Sequence, residues 1–185
     1  SKHFKGNGTS VLVPHTHFDA GLYPETAITV LANFFYAIKD GKLEVIVGDQ
    51  KKPYSVLNAK TLLDAYEWCK DNKHNEQDHI DKEYTDRCFD SIETIVNPDH
   101  EGTLKLKGIG EVQWFIRIGG EIKHKKVALA RNNGMVITHK PLYMQKFSGG
   151  LKPFDMYVCV RGNKGSEHIK EMENPQHNDL SLDWF

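Results

Sequence analysis

Pro14-His15-Thr16-His17-Phe18-Asp19 is the string whose residue types and spacing could do metal chemistry. On an extended strand alternate residues share a side, so His15 and His17 would converge on a cation, with Asp19 as a carboxylate ligand. That is the arrangement a metal-dependent hydrolase needs. Such a site takes further ligands from later segments, and His74, His79, His100, His124, His139, His168 and His177 form no second ligand pair. The commoner meaning of the string is a polar surface connector, and with 10 histidines in the chain the spacing arises easily by chance.

Other groups are weaker. Gly6-Asn7-Gly8-Thr9 lets a backbone approach phosphate closely, yet no Lys-Ser/Thr follows as in a P-loop, and no GxGxxG opens a helix. Lys123-His124-Lys125-Lys126, with Arg131 and Lys140, could make a basic edge for a phosphodiester backbone, although a soluble hairpin tip is the ordinary meaning. Trp114 reads as core packing rather than base stacking. Glu171, Glu173, His177 and Asp179 gather near a helix end and could form an acid–base group, but Asn174-Pro175 makes a helix stop with polar flanks, or a docking surface, the favoured meaning. Cys69, Cys88 and Cys159 fall on apolar positions and read as buried structural thiols.

The elements that must hold these groups differ between the two halves. Ser10–Val13 predicts a strand, and Pro14–Pro24 a connector. From Glu25 the apolar residues Ile28, Leu31, Phe35 and Ile38 recur at helical steps, and Gly41 supplies the stop. Leu43, Val45 and Val47 predict a strand ended by Gly48-Asp49. Asn58 caps a second helix carrying Leu62, Leu63, Tyr66 and Cys69. Asp71–Lys82 reads as a polar loop, and Tyr84, Cys88, Ile92 and Ile95 mark a third helix closed before Pro98.

Strands dominate beyond that point. Leu104, Leu106, Val112, Trp114, Ile116 and Ile118 alternate at period two, with Phe115 on the opposite face. Val127–Arg131 and Met135–Thr138 flank Asn132-Asn133-Gly134, a hairpin turn whose residues tolerate positive φ. Phe154–Val160 is a further strand, and a helix opens near Ser166 and ends before Pro175. The fold class is α/β or α+β: a mainly antiparallel sheet over residues 103–160, covered by helices from both ends. Residues 1–98 form a helix-rich lobe and 99–185 a strand-rich one, which together make one domain or two.

Composition narrows the function. Lys and Arg number 24 against 25 for Asp and Glu, so bulk charge advertises neither a nucleic acid nor a membrane. No apolar run approaches the ~20 residues of a membrane span. Three cysteines with no CxxC pair fit a reducing cytoplasm. The chain starts at Ser1 without an initiator Met and enters structured sequence at once. The expectation is a module cut from a longer protein, with no complete active site of its own.

Four strings carry a resemblance between them. Gly6-Asn7-Gly8-Thr9, Leu31 to Val45 (with Asn33-Phe34-Phe35, Ala37-Ile38 and Gly41-Lys42-Leu43-Glu44-Val45), Arg131 to Ile137 and Glu173 to Asp179 together resemble bacterial proteins built on a GHKL (histidine-kinase/Hsp90-like) ATPase domain. In that family a glycine–Thr box closes the nucleotide-binding domain, and a transducer domain comes next, often of the ribosomal-protein-S5 type. The resemblance implies that Gly6, Gly8 and Thr9 are the remnant of a nucleotide pocket. The Asn-bearing helix and DxGxG box that hold Mg²⁺ and adenine are missing; Asp19-Ala20-Gly21-Leu22-Tyr23 lacks the second glycine. ATP and Mg²⁺ would thus belong to the parent protein, with no cofactor in this piece. Transducers supply a cation to the γ-phosphate, which makes Arg131 and Lys140 candidate phosphate contacts and Lys146 a weaker one. The implied partners are the upstream ATPase domain of the same chain and a protein or DNA partner. The HxHxD string separately resembles the metal-binding opening of α-mannosidase-type glycosidases, in which His15, Asp19 and a distant carboxylate would bind zinc; those enzymes are much longer.

Overall fold

A computed structural model describes residues 22–49, 52–72, 82–122, 125–132, 134–139, 152–175 and 179–180. The chain runs α1 (Leu22–Lys39), β1 (Val45–Asp49), β2 (Lys52–Leu57), α2 (Leu62–Asn72), α3 (Lys82–Val96), β3 (His100–Leu106), β4 (Gly110–Ile118), β5 (Lys125–Arg131), β6 (Val136–Thr138), β7 (Phe154–Val160) and α4 (Asn163–Met172). The class is α+β. The strand expected over Ser10–Val13 lies outside the described residues.

Helix α1 opens three residues earlier than its apolar spacing predicts, because Pro24 falls in the first turn, where a missing N–H costs nothing. It buries Ile28, Leu31, Phe35 and Ile38 almost completely. At its end Gly41 takes φ 69°. The Gly41 N–H donates to the Ile38 carbonyl and the Lys42 N–H to the Ala37 carbonyl, both at 2.9 Å, the two bonds of a left-handed helix stop.

The expected strand after this stop starts at Val45, so Leu43 stays outside it and Gly48-Asp49 belong to it. Its partner β2 has no counterpart in the periodicity of the sequence. The two pair antiparallel with a register shift at Val47/Gly48. Asn58 does cap the turn that leads into α2: its Oδ1 accepts from the Lys60 and Thr61 N–H groups at 3.0 and 3.3 Å. Leu63, counted with the apolar face of α2, points outward and is 57% exposed. Both ends of the expected polar loop are helical, Asp71 in α2 and Lys82 at the start of α3, and residues 73–81 between them lie outside the described residues.

The main sheet has strand order β3-β4-β7-β5-β6. All its described pairs are antiparallel except β5 with β7. Helices α1 and α3 cover the face that carries Phe115, Tyr157, Cys159, Ala128 and Ala130, all of them buried. This reverses the expected facing of β4. Phe115, set aside as the odd residue, is the core residue at 1% exposure, while Ile118 of the alternating set is 43% exposed. Trp114 and Ile116 are half-buried on the second face. Trp114 lies across Gly102 of β3, where an added Cβ would stand 2.8 Å from the indole. One hydrophobic cluster joins α1, α2 and α3 to Phe115, Ala128, Tyr157 and Cys159, so it draws on both halves of the chain. Strand β7 has the expected bounds, and α4 opens at Asn163, three residues before Ser166.

Candidate functional site

The β5–β6 turn is where distant segments meet. Gly134 takes φ 76° and donates its N–H to the Arg131 carbonyl at 2.7 Å. It sits so close to α1 that an added Cβ would be 2.8 Å from the Ala37 nitrogen, so only glycine fits. The Lys42 Nζ, just past the α1 stop, donates to the Asn132 carbonyl at 2.8 Å. On the other side the Asn132 amide donates to the Asn163 Oδ1 of α4 at 3.0 Å.

Arg131 is held by charge. Its Nε lies 3.0 Å from the Glu173 Oε1, an ion pair without the alignment of a hydrogen bond. The Glu173 side chain is 0% exposed and that of Arg131 16%. Thr138 and Asp179 add a hydrogen bond at 3.2 Å. Glu173 and Asp179, read from sequence as polar flanks of a helix stop, therefore tie the end of the described chain to β5 and β6.

A second set of polar groups joins the turn through Lys42. Asp40 pairs with Lys42 at 3.2 Å and accepts from the Arg161 Nη2 at 2.9 Å. The same Arg161 nitrogen donates to the Tyr36 hydroxyl, which in turn donates to Gln113. Burial pushes Tyr36 up to about 12, against the pull of Arg161. Burial would raise the Asp40 carboxyl too, but hydrogen bonds from Arg161 and Lys42 outweigh it and hold it below the usual range. The buried Tyr157 hydroxyl and Arg161 Nε have no hydrogen-bond partner among the described residues. Sequence reasoning missed Lys42, Tyr36 and Arg161 as members of a site, because each reads as an ordinary residue at the end of an element.

A third cluster looks catalytic by residue type. The Cys88 Sγ is 3.3 Å from the His139 Nε2, and the Ser91 Oγ is 3.1 Å from its Nδ1. Yet Cys88 is 1% exposed and His139 8%, so no substrate reaches them. Burial lowers His139 to about 4, helped by the charges of Arg87 and Lys126 and opposed by Asp90, so the imidazole is neutral. All three cysteines are buried and outside disulfides, as expected. Burial raises Cys69 to about 12 and Cys159 to about 11, the opposite of what a nucleophile needs.

A charged cavity of about 310 Å³ opens between α2, α3 and β4, with Lys70, Glu93 and Arg117 on its walls. Glu93 accepts from Tyr66, from Asn97 at 2.8 Å and from Lys70 at 3.0 Å. Burial works against the charge of Glu93, but those donors lower it to about 2.

Of the residues expected from sequence to bind nucleotide or metal, Arg131 alone is both described and brought into a cluster. Gly6, Gly8, Thr9, His15, His17, Asp19, Lys140 and Lys146 lie outside the described residues. Among the described residues no group of three or more His, Cys, Asp or Glu is placed to hold a metal ion. Of the expected basic edge, Lys123, His124 and Lys140 lie outside the described residues; Lys126 faces α3 and pairs with Asp90 at 2.9 Å, whereas Arg131 projects from the opposite face to Glu173. No described helix is long and apolar enough to cross a membrane. No protein family, curated protein or solved structure matches the chain.

Two outcomes are expected. Arg131→Met takes a cation from the buried Glu173 carboxylate and lowers unfolding free energy by up to about 3–5 kcal/mol, while Arg131→Met with Glu173→Leu recovers most of it; urea denaturation measures both. His139 is depressed in the folded chain, so the unfolded chain binds the extra proton between pH ~6.5 and ~4. Stability is complete above pH ~6.5 and falls as pH drops through that window, by about 3 kcal/mol from this group. His139→Gln flattens that slope in denaturation curves taken across the range.

Proposed function

We propose that this chain is a non-catalytic interaction module of the transducer type. It follows a GHKL-type ATPase domain in a bacterial cytoplasmic protein and couples nucleotide state to a partner or downstream domain. One observation carries the reading. The three described strings behind the resemblance lie far apart in sequence, and they meet at the β5–β6 turn. Ala37 and Lys42 touch Gly134 and Asn132, Arg131 pairs with Glu173, and Thr138 bonds Asp179.

A transducer needs a cation on a loop that moves as a rigid unit, so that ATP-bound and ADP-bound states differ in contact energy. The clamped turn fits that need. Arg131 is committed to a buried carboxylate, and moving it to a phosphate would cost that ion pair. On this reading Arg131 anchors the turn, and Lys42, half-exposed and shared between Asp40 and the Asn132 carbonyl, is a cation that could exchange those contacts for a phosphate; Lys140 remains a proposed phosphate contact. Gly6, Gly8 and Thr9 remain the proposed remnant of the nucleotide pocket. The clusters with catalytic residue types are locked in the interior, which favours an interaction role over chemistry.

The test is the coding sequence immediately upstream of the Ser1 codon. An Asn-bearing helix and a DxGxG box in frame are expected there; an unrelated domain or an in-frame stop contradicts the reading. Metal analysis of the purified chain is an independent check. Stoichiometric zinc that is lost on His15→Ala would replace the transducer by a metal-dependent hydrolase.

A further inference from the structure

The edge strand β3 has a pattern that its own fold does not use. Among the described strands only β4 pairs with it, so its outer N–H and C=O groups face away from the sheet. Every residue of His100–Leu106 is exposed except the half-buried Gly102. Soluble proteins usually blunt such an edge with charged side chains, a proline or a bulge. Here the strand has no proline, and its pairing with β4 runs without a register shift from His100 to Leu106.

Its charges have opposite signs and are placed evenly about the centre. Glu101 and Lys105 lie two residues to either side of Thr103, on the same face. Neither is engaged in an ion pair with the described residues. On the other face Leu104 is 51% exposed and Leu106 43%, and Ile109 in the turn that follows is 39% exposed.

We propose that β3 is the contact strand of a homodimer, in which two copies pair edge to edge and antiparallel about Thr103. A two-fold contact requires a surface complementary to itself. Pairing Thr103 with the partner's Thr103 places Glu101 opposite the partner's Lys105, and Lys105 opposite the partner's Glu101. Both charge pairs form at once, and Gly102 faces the partner's Leu104, which leaves room for the larger side chain. A register shifted by two residues sets Thr103 opposite one of the charges and moves the other against the partner's Asp99 or the partner's Lys107, outside β3, so the central register is the one that keeps both charge pairs within the strand. The sheet becomes continuous across both copies. The contact is narrow, so the dimer is concentration-dependent rather than obligate. It does not depend on the presence of an ATPase domain and goes beyond the transducer reading.

Sedimentation velocity at rising protein concentration tests it. The unaltered chain is expected to shift from monomer to dimer. Glu101→Lys sets lysine against lysine at both ends and weakens the dimer by about tenfold or more. Glu101→Lys with Lys105→Glu restores opposite signs and recovers most of the affinity, less a small loss from the carboxylate placed across from Glu111 in β4. Recovery in the double variant separates this contact from simple unfolding of the single one. A chain that stays monomeric at every concentration, because the edge serves another protein's strand or none, overturns the proposal. So does a dimer indifferent to Glu101→Lys.

Discussion

The β5–β6 turn lies where it does because Gly134 has no side chain. With a Cβ there, the backbone of α1 at Ala37 would have to move away. The close approach brings the Asn132 carbonyl within reach of Lys42, sets Arg131 against Glu173, and lets α4 hold Asn132 from the far side. Three segments that share no sequence neighbourhood thus depend on one glycine at positive φ. The cost of a longer contact would fall mainly on Glu173, whose buried carboxylate needs its cation nearby.

The same packing holds several groups of reactive type in the interior. Cys88, His139 and Ser91 have the spacing of a nucleophile and its base, but they fill the space between α3 and the end of β6. Glu93 is fixed by three donors, Asp40 by two cations, and Arg131 by Glu173. Their fields are satisfied by one another. Among the described residues, what remains open is surface: the cavity walled by Arg117 and the long edge of β3.

The sequence made the helices and the last strand legible, because Ile28–Ile38, Tyr84–Ile95 and Phe154–Val160 each bury one periodic face or run. Strand β2 was not legible, since Pro53 interrupts it and Tyr54 and Val56 are too few to establish alternation. The facing of β4 was misread for a different reason. Both sides of that strand carry apolar residues, and alternation alone does not say which side the helices cover. Arg131 stood out as a cation at a strand end, but its role is set by Glu173, a contact that only the tertiary fold creates. Lys42 and Arg161 gave no local signal at all. The residues with the strongest chemical signature, His15, His17 and Asp19, lie outside the described part of the chain.

Native-state hydrogen exchange tests the clamp most directly. The amides of Lys42, Gly134 and Arg161 bond to Ala37, Arg131 and Glu111 at 2.9, 2.7 and 2.7 Å. If the turn, the end of α1 and the end of β7 are one unit, their opening free energies agree to within about 1 kcal/mol and respond alike to low urea. A Gly134 amide that exchanges like an unprotected loop, while α1 and β7 remain protected, would contradict the account.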